Sequence, residues 1–541
     1  MNRGLPQAAL AAVLTAVLHT WPLATNPAAL SLNYNGDVML NAWIVAWVQR
    51  TLPRDPLNLF DANIFHPAED VLAFSEPLIV PALVSAPVRA LGGSPVLVHN
   101  LLLIAGLALT MLGGYVLAWH WTGDRVASLV AGTAWTFNAQ SLTRLEHLQA
   151  THAYGIPLAI LAADRLILTG HPRHAAWLAL WMVMMAYTSG YLVIFTTVAL
   201  AVLLLVRVRE WIGRAVRVLG GFALAAAGAA AAILPLYLPY RRVALEQGMR
   251  RPLESVRDFS AALDGYLASY SHLHGWLWNA GGRRAFEDAF FPGIAILVLA
   301  VIGCGAGLAR RGIPGATRMR VITLLALAAA GLVLSLGTQT PVYGWLYSVF
   351  PPLSGLRAAA RFGVLFLLAL AMLAAFGLAT LRARIRRRAA AGLGVAALLL
   401  VNLEALRAPI RTEPFRGIPG VYRLLAAEPA PVVLVEVPFY PAEAVFENAE
   451  YVLNSTAHWR PLMNGYSGYT PQSYRDVAWT FWHFPEPHVL DAMRGAGATH
   501  LMLHPKRFGN EAQETLQRAL ADPRLERLGV GRDNLTLFRI R

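Results

Sequence analysis

A chain of 541 residues with 56% hydrophobic and 14% charged residues, and a mean hydropathy of +0.48, carries more apolar surface than a soluble globular protein holds. The composition excludes that class and indicates a polytopic membrane protein. The net charge of +14 invites a nucleic-acid reading. The arginines, however, lie in short clusters between apolar runs, with no basic stripe, stacking aromatics or base-reading motif, so no nucleic-acid partner is expected. Cys304 is the only cysteine, which leaves no intrachain disulfide or thiolate metal site.

In chain order, residues 5–24 are apolar and long enough to span, and they lack a small-residue cleavage site, so they read as a membrane anchor. An external loop is expected over 25–76. It opens with Gly36-Asp37-Val38-Met39-Leu40-Asn41-Ala42-Trp43-Ile44-Val45-Ala46-Trp47. At 100° per residue Asn41 falls about 40° from Asp37, with Trp43 and Trp47 near the opposite side. A helix over 37–52 is therefore predicted to lie along the lipid surface, its tryptophans at headgroup level and Asp37 toward water. Asp37 also fits a helix N-cap. Further along, His66, Glu69, Asp70 and Glu76 make the loop rich in polar groups, but their spacing matches no standard metal motif.

Residues 77–91 are apolar but contain Pro77, Pro81 and Pro87. They would reach only about 22 Å at 1.5 Å per residue, so a re-entrant or partly inserted segment is expected. Apolar runs follow at 95–119, 124–140, 151–168, 175–189, 190–206, 218–240, 290–309, 321–338, 361–381 and 389–407. Arg165 and Arg173, then Arg207, Arg209, Arg214 and Arg217, then Arg310, Arg311, Arg318 and Arg320, then Arg382, Arg384, Arg386, Arg387 and Arg388 form basic loops, each separated from the next by two spans. All would be cytoplasmic. With Asn2 and Arg3 also cytoplasmic, eleven crossings deliver the tail beyond Ala408 to the outside.

This topology puts Glu146, His147 and Gln149 in a short external turn between two spans, where polar groups at membrane depth should line a cavity. The external loop 241–289 carries Arg241, Arg242, Arg250, Arg251, Arg257, Arg283 and Arg284 offset by acids that include Glu287 and Asp288, and reads as a solvated loop or an anion-binding lid. Arg357 and Arg361 lie four apart where an external loop meets a span. They would share a face if helical, at the height of a lipid phosphate. Ordinary interfacial snorkelling is the competing reading.

Past Thr412 the texture changes. Residues 431–437, 499–504 and 534–540 read as strands, and 418–428, 486–497 and 511–521 as helices. Between them the segment 454–469 mixes rings, amides and hydroxyls, with His458, Asn464 and Tyr466 suited to a sugar-facing surface or to a packed turn. The fold class is thus mainly α: a polytopic membrane helix bundle of about eleven crossings over 1–408 with a small extracytoplasmic α/β domain over 409–541.

Several stretches carry a family resemblance: the loop opening with Gly36-Asp37, Asp61-Ala62-Asn63-Ile64-Phe65-His66-Pro67, Phe74-Ser75-Glu76-Pro77-Leu78, Glu146-His147-Leu148-Gln149, Phe290-Phe291-Pro292-Gly293, Gly355-Leu356-Arg357 through Arg361-Phe362, and Met463-Asn464-Gly465-Tyr466-Ser467-Gly468. With the many-span body they make the chain resemble the GT-C class of integral-membrane glycosyltransferases, in its uncharacterised bacterial members. The resemblance implies a bacterial inner-membrane enzyme that uses a polyprenyl-phosphate sugar as donor and an extracytoplasmic glycan, lipid or protein as acceptor, with inversion at the anomeric carbon. It implies Asp37 as general base. Arg357 and Arg361 would neutralise the donor phosphate, and Asn41, His66, Glu76, His147, Gln149, His458, Asn464 and Tyr466 would supply further substrate contacts. A divalent metal remains an unfavoured alternative, with no ligand set assigned. A transporter or flippase of a lipid-linked glycan, or a noncatalytic membrane assembly protein, is the competing function. No pair of matching broken helices in two halves supports a carrier.

Overall fold

The computed structural model describes residues 4–248, 252–275, 289–309, 315–350, 353 and 355–541. Asn2, Arg3, Arg250, Arg251, Arg283, Arg284, Glu287, Asp288, Arg310 and Arg311, on which parts of the topology and the anion-binding lid rest, lie outside the described residues. The chain is mainly helical and divides into two compact units. The first comprises Met1–Thr25, Leu101–Pro235 and Met249–Arg411; the second comprises Asn26–Asn100, Leu236–Gly248 and Thr412–Arg541. These units do not follow a cut at 408/409, because residues 26–100 and 236–248 pack with the tail.

The first unit is helical. Among the described residues five helices are long and apolar enough to cross a bilayer: Pro95–Thr122, Val208–Glu246, Thr317–Ser335, Ala359–Ala383 and Arg387–Ala405. Leu5–His19, Gly190–Val206 and Ile294–Leu308 are apolar but shorter. The multi-pass membrane character is plain, while the expected eleven runs do not become eleven helices of spanning length. Run 124–140 shows why. Asn138 donates to the carbonyls of Ala134 and Trp135 and accepts from the Ser141 amide, so it closes the helix Arg125–Thr136 and caps a new single turn, Ala139–Leu142.

Small residues let the helices approach. Ile294–Leu308 lies so close to Gly363–Ala383 that a Cβ on Gly303 would overlap the Leu373 carbonyl, and one on Gly377 the Leu299 carbonyl. The start of Ile294–Leu308 is held by Glu404, whose carboxylate accepts from the amides of Ile294 (3.1 Å) and Ala295 (3.0 Å). Gly293, at φ +96°, allows that approach, since a Cβ there would meet the Glu404 carboxylate. This accounts for the glycine of the Phe290–Gly293 stretch. A buried ionic knot ties further helices together. Asp164 receives Arg207 (2.5 Å), Arg320 (2.8 Å) and the Trp121 indole (3.2 Å), and Arg207 also meets Glu210.

The second unit is built on a four-stranded sheet whose spatial order is Leu434–Val437, His500–Leu503, Thr536–Ile540, Leu525–Val530. The first pair is parallel, with Val435 opposite Leu501; the other two are antiparallel, with Leu501 opposite Phe538. Leu525–Val530, interrupted by a register shift at Arg527/Gly529, was not expected, nor was the helix Gln472–Trp482. A two-residue antiparallel ladder, Leu30–Ser31 with Glu413–Pro414, joins the first loop to the tail.

Candidate functional site

Asp37 lies in the first turn of the helix Gly36–Thr51. The cap is Asn35, whose side-chain oxygen accepts the Asp37 amide at 2.8 Å, so the N-cap reading of Asp37 gives way. The Asp37 carboxylate is half-buried, and its Oδ1 accepts the Tyr466 hydroxyl at 2.6 Å. That bond joins residues 429 positions apart. It is possible because Gly36 lets the Tyr466 ring and Ala449 come within 3.2 and 3.3 Å of where a Cβ would stand.

The helix itself does not lie on lipid through its tryptophans. Trp43 is 1% exposed and Trp47 8% exposed. The Trp43 indole donates to Asn63 (3.2 Å), the Trp47 indole donates to the Leu59 carbonyl (2.9 Å), and the Trp47 ring meets Trp459 at 5.9 Å. Asn41 is buried as well, so the polar face expected to look outward with Asp37 is covered by protein. The helix is apolar nearly all round because protein surrounds it.

Two of the stretches that carry the family resemblance meet here. The Phe65 amide donates to the Asn464 carbonyl (3.1 Å), His66 to Leu462 (3.0 Å), and Leu462 back to Asn63 (2.8 Å). Asn464 is fully buried: its amide side chain accepts from the Glu436 amide (2.7 Å) and donates to the Glu436 carbonyl (2.9 Å) and to Asn448 (3.2 Å). It stands in for a strand partner. His458 is buried too, stacked 6.0 Å from Tyr422, with Nδ1 accepting the Arg460 amide at 2.9 Å. Both side chains are placed as packed-turn residues are, one of the two roles to which they were suited.

Burial lowers the His458 pKa from 6.5 to about 3. The ring is neutral when folded and free to protonate when unfolded, so its stabilising contribution is full above pH 6.5 and is lost as pH falls toward 3. Burial shifts His66 and His500 in the same direction. Thermal unfolding followed while the pH is lowered should show stability falling by on the order of 1 kcal/mol per unit. A His458→Phe variant should show a shallower dependence; an unchanged slope would refute the assignment.

His66 and Glu76 are half-buried in the same unit. Beside Glu76, the Tyr240 hydroxyl donates to the Ser75 carbonyl at 2.7 Å. Asp70 pairs with Arg242 at 2.8 Å, and burial raises its pKa against the lowering pull of that guanidinium. Among the described residues no group of three His, Cys, Asp or Glu side chains is placed to hold a metal ion.

In the first unit, Arg357 and Arg361 do not share an α-helical face; Arg361 sits in the single 3-10 turn Ala359–Phe362 and Arg357 precedes it. Tyr191 organises them instead. Its hydroxyl accepts the amides of Arg357 (3.2 Å) and Ala358 (3.3 Å), and its ring lies 4.7 Å below the Arg361 guanidinium. The Arg357 guanidinium stacks 4.3 Å over Phe259. Stacking orients the planar forks and leaves their edges for an anion. His147 lies among them: burial and the charges of Arg361, Arg144 and Arg357, in that order, hold its pKa well below 6.5, so the ring is neutral. Gln149 follows, half-buried in the single turn Leu148–Thr151. Arg144 and Tyr191 were missed in the sequence. An arginine three residues before His147, in a short turn between two apolar runs, was the available signal.

No protein-family model and no curated protein matches the sequence. Solved structures do. The arabinofuranosyltransferase AftD from Mycobacteria matches with a TM-score of 0.59 and 17% identity over 100% of this chain. The chain spans 41% of that protein's length. The oligosaccharyltransferase AglB from Archaeoglobus fulgidus, solved with an inhibitory peptide and a dolichol-phosphate, matches with a TM-score of 0.50 and 14% identity over 96% of this chain and 71% of its own. The chain therefore shares the fold of these two solved structures.

Proposed function

We propose that the chain is a membrane glycosyltransferase that moves a sugar from a polyprenyl-phosphate donor to an extracytoplasmic glycan, lipid or protein acceptor. The observation that carries the reading is Asp37: a half-buried carboxylate, not needed as the helix cap, fixed by the Tyr466 hydroxyl at 2.6 Å. A general base needs that combination of orientation and partial access. Asp37 takes the proton of an acceptor hydroxyl, the acceptor oxygen forms a bond to the anomeric carbon, and the bond from that carbon to the phosphate oxygen breaks. One displacement of this kind inverts the configuration. The leaving polyprenyl phosphate is anionic and calls for fixed positive charge. Arg357 and Arg361, stacked on Phe259 and Tyr191, supply it. Neutral His147, beside those arginines, donates a hydrogen bond to a donor oxygen, and Gln149, two residues on, is a further donor. A lipid-phosphate donor is supported by the dolichol-phosphate bound in AglB and by the glycosyl transfer for which AftD is named. On this reading the protein works in the bacterial inner membrane with its tail outside.

The test is transfer of radiolabelled sugar from a polyprenyl-phosphate donor by the purified protein in nanodiscs. Removing one guanidinium from a phosphate costs about 1.5–3 kcal/mol. Arg361→Gln should therefore raise the donor KM by about tenfold or more and leave the acceptor KM unchanged. Equal donor KM in variant and wild type would refute the assignment.

A further inference from the structure

The lipid-facing element is not the tryptophan-bearing helix Gly36–Thr51 but the short helix Ile79–Ala90 that follows the first loop, within the segment whose prolines suggested partial insertion. Ile79–Ala90 buries Ile79, Pro81, Ala82 and Ser85 against its own unit. The Gln49 side chain of the Gly36–Thr51 helix clamps it there, donating to the Ala82 carbonyl (3.0 Å) and the Ser85 hydroxyl (2.9 Å). Its other face is apolar and uncovered: Leu83 is 56%, Val84 57% and Leu91, just past the end, 90% exposed. From Pro77 to Asn100 the one charged residue is Arg89, at the end of the helix, where it donates to the Gly93 carbonyl at 2.7 Å. Twelve residues rise only about 18 Å, too little to cross about 30 Å of hydrocarbon. The chain then runs straight into the membrane-length helix Pro95–Thr122, so Leu91 lies within four residues of a span.

We propose that Ile79–Ala90 is a half-inserted membrane seat, with Leu83, Val84 and Leu91 among lipid acyl chains and Arg89 at anionic headgroups. The exposed apolar face, the absence of acidic residues and the continuity with a span all select lipid over a protein partner. Through Gln49 the seat fixes the depth of the helix that carries Asp37. This consequence rests on the catalytic reading; the lipid contact does not.

The experiment uses the full chain with Cys304→Ala, and Leu83→Cys, Val84→Cys, Leu91→Cys or, as control, Glu514→Cys, each labelled with an environment-sensitive fluorophore. The labelled proteins are placed in vesicles of phosphatidylcholine and phosphatidylglycerol with or without acyl-chain bromine. The expected result is that labels at positions 83, 84 and 91 lose most of their emission in brominated vesicles while the label at 514 keeps it. Water-like, unquenched emission at 83, 84 and 91 would overturn the proposal, and so would blue-shifted but unquenched emission, which reports a protein partner. Quenching is read whether or not the protein transfers sugar, so failure of the seat and failure of the enzymatic reading are separate outcomes.

Discussion

An Asp37→Asn variant is expected to lose sugar transfer by about 10²–10⁴-fold, the usual contribution of a positioned general base, while binding the polyprenyl-phosphate donor as tightly as wild type. The substitution is close to isosteric, and the Asp37 oxygen that accepts from Tyr466 has a counterpart in the amide. Asn35 caps the helix, so the fold keeps its N-terminus. The charge lost near the helix start is worth only about 0.3–1 kcal/mol. Activity and stability therefore separate: turnover collapses and the melting temperature hardly moves. A carrier or an assembly scaffold would be indifferent to the change. Wild-type turnover in the variant would remove Asp37 from the chemistry.

The second large effect concerns stability. Asp164 and Arg207 have fully buried side chains, and Asp164 accepts from Arg207, Arg320 and Trp121 at once. An Asp164→Ala variant leaves the Arg207 guanidinium buried without that partner and should destabilise the protein by about 3–5 kcal/mol. Removing both members of the pair, Asp164→Leu with Arg207→Leu, should cost less than the single change, since no uncompensated charge is left in the interior. Unfolding in detergent, followed by a probe in the helical unit, measures the difference. If the double variant is the less stable of the two, the knot is not the source of the stability.

The composition alone made the membrane class legible, and the short stretches quoted above pointed toward the fold shared with the two solved structures. Asp37 was visible because an acid just inside a helix start, at the opening of a loop, is a local pattern. Tyr466 and the Arg357, Arg361 and His147 set were named individually, but their meeting points were not. The hydroxyl reaching Asp37 comes from 429 positions away, and the arginines are ordered by Tyr191, which nothing local links to them.

The failures share a physical cause. Trp43 and Trp47 have the periodicity of a lipid-facing stripe, and the same periodicity serves when the facing surface is protein; only the coverage by residues 59–63 and 455–460 decides, and that is tertiary. Asn464 and His458 carry groups suited to a sugar, yet the same groups satisfy backbone amides. Meanwhile the proline-rich 77–91 segment, weak as a span, presents the outward apolar face.

The central claim is that this chain handles a lipid phosphate with its arginine pair. The most direct measurement is a cryo-EM structure of the wild-type protein in nanodiscs with a bound polyprenyl phosphate. The expected result is phosphate density within hydrogen-bond reach of the Arg357 and Arg361 guanidiniums. Phosphate seated away from both, for example only at the arginine run 382–388, would contradict the claim.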